Sequence, residues 1–341
     1  MQDIARDLDV SVVTVSKVLR NQGNISARTR RRVLARAQKL NYQPNWIARS
    51  LVTRRTFTIG LLLPDFTHPF FAEVAKAVAE TIRPRGYHVI ISYFEEDVDL
   101  ERTEAESLMA RQVDGLIVAT VQSSGRTELF SKIRKRKLPL VLIDRPLPGV
   151  RASFVGVDNE EIGSLATRHL IAQGCRRIAH LRGPAVGIAS ARMAGYRRAL
   201  AAHSLTSAAG HIVQARYEDR SGYHAMRKLL ETDPIPDGVF CYNDPVAIGA
   251  IKAIGEAGLR VPEDIAVVGA GNVHYSDLLA VPLTTIDQSA RQIGSRAAEI
   301  LLEEIEAKRP ARPKAIWIEP RLVPRQSTRR LAQRGSDRVN Q

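Results

Sequence analysis

Cysteine is almost absent from this chain. Two stand among 341 residues, Cys175 and Cys241, and aromatic residues make up only 5%. The two thiols lie far apart in apolar surroundings and match no metal-ligand spacing. That reads as core packing rather than a disulfide or a metal site. No apolar run reaches the ~18 residues of a membrane span. The N-terminus is charged and lacks the apolar stretch of a secretion signal. A reducing cytoplasm is the expected compartment. Several enzyme signatures are also missing: G-x-S-x-G, the Walker loop, H-E-x-x-H and paired Cys motifs. Hydrolase, nucleotide-phosphate and zinc chemistry lose their usual markers with them. No metal and no cofactor are expected.

What is present in excess is positive charge, and it is unevenly placed. The formal net charge is +14. Residues 1–55 hold twelve Lys and Arg against three Asp and Glu, and residues 321–341 hold six Arg against one Asp. The body between them is neutral. A basic head on a neutral body suits a polyanion reader joined to a separate sensing domain. The length fits one small and one large domain. The tail from Arg329 has few apolar residues and no heptad. It reads as disordered, with no coiled coil to make a tetramer.

The N-terminal stretch has the periodicity of a helix-turn-helix. Asp3 to Leu8 reads as a short helix with Ile4, Ala5 and Leu8 on one face. After Asp9 and Val10, Ser11 is placed to cap a second helix, SVVTVSKVL, with Val12, Val15 and Leu19 as its apolar stripe. Ser26 opens a third helix. Val33, Leu34, Ala37 and Leu40 are expected to face inward, with Arg28, Arg30, Arg31, Arg32, Arg36 and Lys39 outside. The second helix of such a unit enters a DNA major groove.

These fifty residues resemble the headpiece of the LacI/GalR (lactose-repressor-like) family of bacterial transcription regulators. The pieces DIA, VS-x-x-TVS, S-x-x-TR and NY-x-PN stand in family order. The family has a few residues ahead of DIA, where this chain has only Met1 and Gln2. The resemblance implies contacts to operator DNA from Ser11, Val12, Val13, Thr14, Ser16, Lys17, Asn24, Ser26 and Thr29. Val12, Val13 and Lys17 would face base edges. It further implies a hinge helix over 44–56, with Asn45 and Ala48 at DNA. Leu51 would be wedged into the central base step.

From Thr58 onward, near-continuous apolar strands alternate with amphipathic helices. The strands are TIGLLLP, HVIISYF, GLIVA, LPLVLID, FVGV, RIAHL, GVFCY and DIAVVG. The helices are read over Phe70–Arg85, Leu100–Arg111, Glu128–Lys137, Glu160–Gln173, Ala191–Ala202, Ser221–Leu230 and Pro245–Ala257. This pattern argues for parallel sheets covered on both faces, too many strands for one sheet, and so two lobes. Ligands of such sheets bind beyond the carboxyl ends of the strands, here in a cleft between lobes.

The motifs IGLLLPDFTHPFF, VLIDRP, VGVDN-x-x-G-x-x-A, FCYND-x-x-A-x-G, G-x-x-VPEDI-x-VVG and PLTTIDQ extend the resemblance to the family's sensor domain. The expected fold is an all-α helix-turn-helix headpiece (1–43), the hinge (44–56), and a periplasmic-binding-protein-like α/β sensor of two doubly wound lobes (57–328). Lobe 1 would hold 57–156 and 289–316, lobe 2 157–288 and 317–328, and the tail 329–341. The resemblance places Asp65, Phe66, Phe70, Asp144, Arg145, Arg192, Tyr217, Asn243, Gly271 and Gln288 around a small effector. Asp244, ahead of Pro245, also reads as a plain helix cap. At Gly271 the family usually has Asp. Its absence beside retained arginines predicts a sugar acid or sugar phosphate over a neutral hexose, unless Asn272 substitutes. The whole reads as a homodimeric repressor whose operator affinity is set by a sugar-like ligand. A pure solute-binding protein lacks a reason for the headpiece.

Overall fold

The computed structural model describes residues 1–19, 23–42, 50, 53, 55–65, 67–122, 125, 127–184, 187–307, 309 and 312–329. The expectations for Asn45, Ala48, Leu51, Phe66, the hinge helix and the tail beyond Arg329 lie outside these residues. The chain divides into two compact units, Met1–Thr56 and Phe57–Gln341.

Among its described residues the first unit holds α1 (Gln2–Leu8), α2 (Val12–Leu19) and α3 (Ala27–Lys39). Asp9 ends α1 in the left-handed region (φ 51°), which Asp tolerates better than most residues, and so turns the chain into α2. The Ser11 hydroxyl accepts the Thr14 N–H (3.0 Å) and caps α2. The Ser26 hydroxyl accepts the Thr29 N–H (3.2 Å) and caps α3. Met1 gives α1 no side-chain cap. Ile4, Ala5, Val15, Val18, Val33 and Ala37 form the core. Arg36 donates to the Asp7 carboxylate through Nε (2.8 Å) and a terminal nitrogen, tying α3 to α1.

Three inward assignments need correction. Val12 is 41% exposed, and Val18 takes its place in the core of α2. On α3, Leu34 and Leu40 are also exposed. Three short helices enclose a core too small to cover a full apolar stripe on each.

The second unit carries two six-stranded sheets. The first contains β1 (Thr58–Leu63), β2 (His88–Tyr93), β3 (Gly115–Val118), β4 (Leu140–Ile143), β5 (Ser153–Val157) and β11 (Ala315–Ile318), in the order β11-β5-β4-β3-β1-β2. All its pairings are parallel. The second contains β6 (Ile178–Arg182), β7 (Ile212–Gln214), β8 (Gly238–Cys241), β9 (Ala266–Ala270), β10 (Thr284–Asp287) and β12 (Arg321–Val323), in the order β12-β10-β9-β8-β6-β7. Only β12 runs antiparallel. Trp317 and Ile318 pair with Gly156 and Val157 in the first sheet, so the chain returns to the second lobe after Ile318, not after Ile316.

The crossover helices are α4 (Pro69–Ile82), α5 (Val98–Ala110), α6 (Glu128–Lys135), α7 (Asn159–Ala172), α8 (Gly187–Ala202), α9 (Asp219–Leu229), α10 (Asp244–Glu256) and α11 (Ala290–Glu306). α8 begins at Gly187, four residues ahead of its sequence reading. Glycines set two helix contacts that position the site. A Cβ on Gly163 of α7 would fall on the Arg192 carbonyl, and one on Gly195 of α8 on the Glu160 carbonyl. Gly222 of α9 and Gly249 of α10 meet the backbones of Val246 and Asp219 in the same reciprocal way. Both cysteines are free and buried. Among the described residues no helix is long and apolar enough to cross a membrane.

Candidate functional site

In the second unit, a cavity of about 230 Å³ opens where the carboxyl ends of the two sheets face each other. Most of the residues lining it follow a strand. Asp65 comes after β1, Glu96 after β2, Asp144 and Arg145 after β4, Tyr217 after β7, and Tyr242 and Asn243 after β8. Gln288 follows β10, while His68, Phe70 and Arg192 come from the starts of helices. This is the switch-point geometry of open α/β sheets, doubled by two lobes.

Arg192 is fully buried and splits its guanidinium among neutral acceptors. Nε donates to Asn159 Oδ1 (3.0 Å), one terminal nitrogen to the Tyr242 carbonyl and the other to Gln288 Oε1 (2.9 Å). Its face lies 4.8 Å from the Tyr242 ring centre. Burial pushes its pKa down. Arg145 is engaged by charge instead. Its two terminal nitrogens meet the two Glu96 oxygens at 2.8 and 2.7 Å, and Nε stands 3.6 Å from Asp144 Oδ2. Burial opposes the Arg145 charge, but its hydrogen bonds to Glu96 and the charges of Asp144 and Glu96 outweigh it and hold it ionised.

Asp144 is buried in the left-handed region (φ 65°). Burial raises its pKa, against the pull of Arg145 and Arg192. No hydrogen bond to its carboxyl occurs among the described residues, so its oxygens are left for what enters the cavity. Asp65 is partly used, since Oδ1 accepts the Thr67 N–H and hydroxyl at 2.7 Å. Asn243 caps α10 by accepting the Val246 N–H (2.9 Å). Its amide nitrogen then donates to the Tyr217 carbonyl (2.9 Å) and lies 3.1 Å from His68 Nε2 on the opposite lobe. Burial lowers the His68 pKa to about 4, so this cross-cleft contact is made by a neutral ring. Burial and then the negative charge of Glu96 push up the Tyr217 phenol, which also lies against Arg145 from across the cleft.

Of the ten effector residues read from sequence, eight line this cavity: Asp65, Phe70, Asp144, Arg145, Arg192, Tyr217, Asn243 and Gln288. Gly271 does not. Its φ is 143°, and a Cβ there would touch the Asp244 carboxylate, behind the cavity wall. An Asp at 271 on this backbone would be strained. Nor does Asn272 substitute, because its side chain is held by Arg325 (2.8 Å) and Asp287 (3.4 Å). The premise for an acidic effector therefore fails here. Asp244 is no cap either. That role belongs to Asn243, while Asp244 is buried and accepts from Thr285 (2.5 Å), the Val273 N–H (2.9 Å) and Ser276 (3.0 Å). Sequence reasoning missed His68, Glu96 and Tyr242. His68 had a signal, since a polar residue before Pro69 marks a helix start. Glu96 had none.

In the first unit, α2 presents Val13 (61% exposed), Val12 and Lys17 outward. Thr14 and Ser16 lie half-buried beside them. The Lys17 stem rests on Gly23, whose ideal Cβ would lie 3.2 Å from Lys17 Cδ. Asn24 is exposed. Ser11 and Ser26 spend their hydroxyls on caps, and each hydroxyl also meets that of the following Thr (Thr14 or Thr29) at 2.9 Å. An exposed apolar pair with one lysine on a short helix can meet thymine methyls and a guanine edge.

Comparison with known proteins matches a part of each unit. The family model "Bacterial regulatory proteins, lacI family" matches residues 1–45. The model "Periplasmic binding protein-like domain" matches residues 167–328. The ribose operon repressor of Halalkalibacterium halodurans is 34% identical over 96% of this chain and 97% of its own. The transcriptional repressor PurR of Aliivibrio fischeri is 36% identical over 96% and 97%. Among solved structures, a lac repressor dimer bound to operator and the anti-inducer ONPF is similar with a TM-score of 0.85. It is 28% identical, over 96% of this chain and 98% of that one.

Proposed function

The chain belongs to the LacI family of bacterial regulatory proteins, DNA-binding transcription regulators rather than enzymes, and from that premise we propose a homodimeric repressor that binds a pseudo-palindromic operator and answers to a small hydroxylated ligand in the interlobe cavity. The observation that carries the ligand half is the cavity itself. Aromatic faces, an Asp144 carboxyl without a hydrogen bond among the described residues and the amides of Asn243 and Gln288 converge there from both lobes. Hydroxyl groups would donate to Asp144 and accept from the Gln288 amide nitrogen, while Phe70 and Tyr217 would cover an apolar ring face. The α2 helix would read the operator through Val12, Val13 and Lys17, and the other basic residues of the first unit would neutralise phosphates. A dimer would place two such helices one turn apart. Such a regulator would act in the cytoplasm, where the DNA is.

The DNA half is tested by in vitro selection of duplexes on the full chain, followed by anisotropy titrations of the best site and of random DNA. A selected two-fold-related site bound ~10³-fold or more above random DNA is expected. Equal affinity for both would reject operator reading. The ligand half is tested by repeating the titration with neutral sugars and nucleosides. One chemical class should change operator affinity, and no change with any would reject an effector of this kind.

A further inference from the structure

We propose that Glu96 is a specificity-determining residue that bars anionic ligands from the cavity by occupying the donor face of Arg145. The inference rests on the reading of this cavity as an effector site. An arginine in a ligand pocket ordinarily attracts carboxylates and phosphates, because its planar fork gives them two parallel hydrogen bonds. Arg145 lines the cavity, but both terminal nitrogens already make that bidentate pair with Glu96, at 2.8 and 2.7 Å. An incoming anion would have to displace a covalently tethered carboxylate from a largely buried site.

The position of Glu96 is built in. Glu95 and Glu96 both adopt positive φ, 52° and 61°, which costs a non-glycine residue strain at each. The surroundings hold them there. The Glu95 N–H donates to the Pro64 carbonyl (2.9 Å), the Asp97 N–H to the Phe94 carbonyl (2.8 Å), and the Asp97 side chain caps α5 at Asp99 and Leu100. The loop between β2 and α5 thus aims Glu96 at Arg145.

The other arginines do not replace it. Arg192 donates in three directions to neutral protein acceptors, and Arg216 is exposed at the rim. Asp144 Oδ2 stands 3.6 Å from Arg145 Nε and covers the remaining side of that guanidinium. Four carboxyl side chains, Asp65, Glu95, Glu96 and Asp144, line the cavity against three arginines, so its charge is not positive. The ligand class that fits is neutral and hydroxylated, and one residue separates this site from an anion site.

The experiment uses the full chain and inorganic phosphate as probe, by calorimetric titration at constant ionic strength. Wild type, Glu96→Gln, Glu96→Asp and the double variant Glu96→Gln/Arg145→Gln are compared. Phosphate binding by the basic first unit is common to all four and cancels. Glu96→Gln is expected to bind phosphate at least tenfold more tightly than wild type. Glu96→Asp, which keeps the charge, should not gain, and the double variant should lose the gain. No gain in a folded Glu96→Gln protein overturns the proposal, as does a gain that survives removal of Arg145. If Glu96→Gln does not fold, Glu96→Ser takes its place under the same criteria. The readout involves no DNA, so a failed operator response leaves it standing and a failed phosphate gain leaves operator binding untouched.

Discussion

Three buried titratable groups make stability depend on pH in separable ways. Burial lowers the pKa of His68 and of His180 to about 4. The His180 ring stacks on Phe240 (centres 4.5 Å apart, planes 4° apart), with Nδ1 2.9 Å from the Phe240 carbonyl. Both rings stay neutral in the folded chain while the unfolded chain takes up protons from about pH 6.5. Their contribution is therefore complete above pH 6.5 and is lost as pH falls toward 4. Imidazole signals in NMR should hold the neutral shift down to about pH 4, and a midpoint near 6.5 for either ring would contradict its burial. Glu101 acts in the opposite sense. It is buried on α5, one oxygen accepts the Val121 N–H (3.1 Å), and burial raises its pKa to about 7. Its charged form costs stability above pH 7, and the cost is relieved as pH falls toward 4.5. The melting temperature of wild type minus that of Glu101→Gln should rise between pH 8 and pH 5.

Two exposed or uncommitted residues give further tests at the same scale. Asp144→Asn replaces a buried carboxyl without a hydrogen bond by a neutral amide, and Asn accepts the left-handed backbone there. Stability should hold or rise while effector affinity falls about tenfold, the loss of a charge-assisted hydrogen bond. Equal affinity in a thermal-shift titration would remove Asp144 from the site. Lys17→Ala should cost ~1–3 kcal/mol on the best operator and much less on random DNA. Lys17→Met, which keeps the stem on Gly23, should lose the same specificity. Equal loss on both DNAs would assign Lys17 to phosphate alone.

At the scale of elements, the glycine contacts between α7 and α8 place Arg192. The Arg192 carbonyl packs where Gly163 has no side chain, so the first turns of α8 sit close on α7. Gly195→Ala should destabilise by ~1–3 kcal/mol through overpacking, and should weaken effector binding by shifting Arg192. An unchanged melting temperature in scanning calorimetry would show that the helices part freely. Helix starts were readable in the sequence where a polar cap preceded the apolar run, as at Ser11 and Ser26. The α11 helix was harder to see, because its glycine and alternating charges blur the apolar stripe that packs on α4. The strands β7 and β12 are three residues long and sit at sheet edges, where no continuous apolar run is required.

At the scale of the whole molecule, ligand and operator affinities should be linked. A ligand that changes operator affinity by some factor must have its own affinity changed by operator by the same factor. Two titrations, each with and without the other partner, measure both, and unequal factors would exclude a single coupled equilibrium. The sequence by itself determined the two-unit plan, the helix-turn-helix and the parallel strands, and its resemblance to the family pointed to eight of the residues that line the cavity. Apolar periodicity, charge segregation and strand-end motifs are local properties, written within a few residues of one another. Only the tertiary structure decided which charges remain available. Glu96 lies forty-nine residues from Arg145, and Arg192 finds Asn159 and Gln288 across the fold, so their pairing depends on which strand ends the sheet order brings together. Gly271 is not among the residues lining the cavity for the same reason: a residue's distance along the chain does not say which face of a folded strand end it occupies.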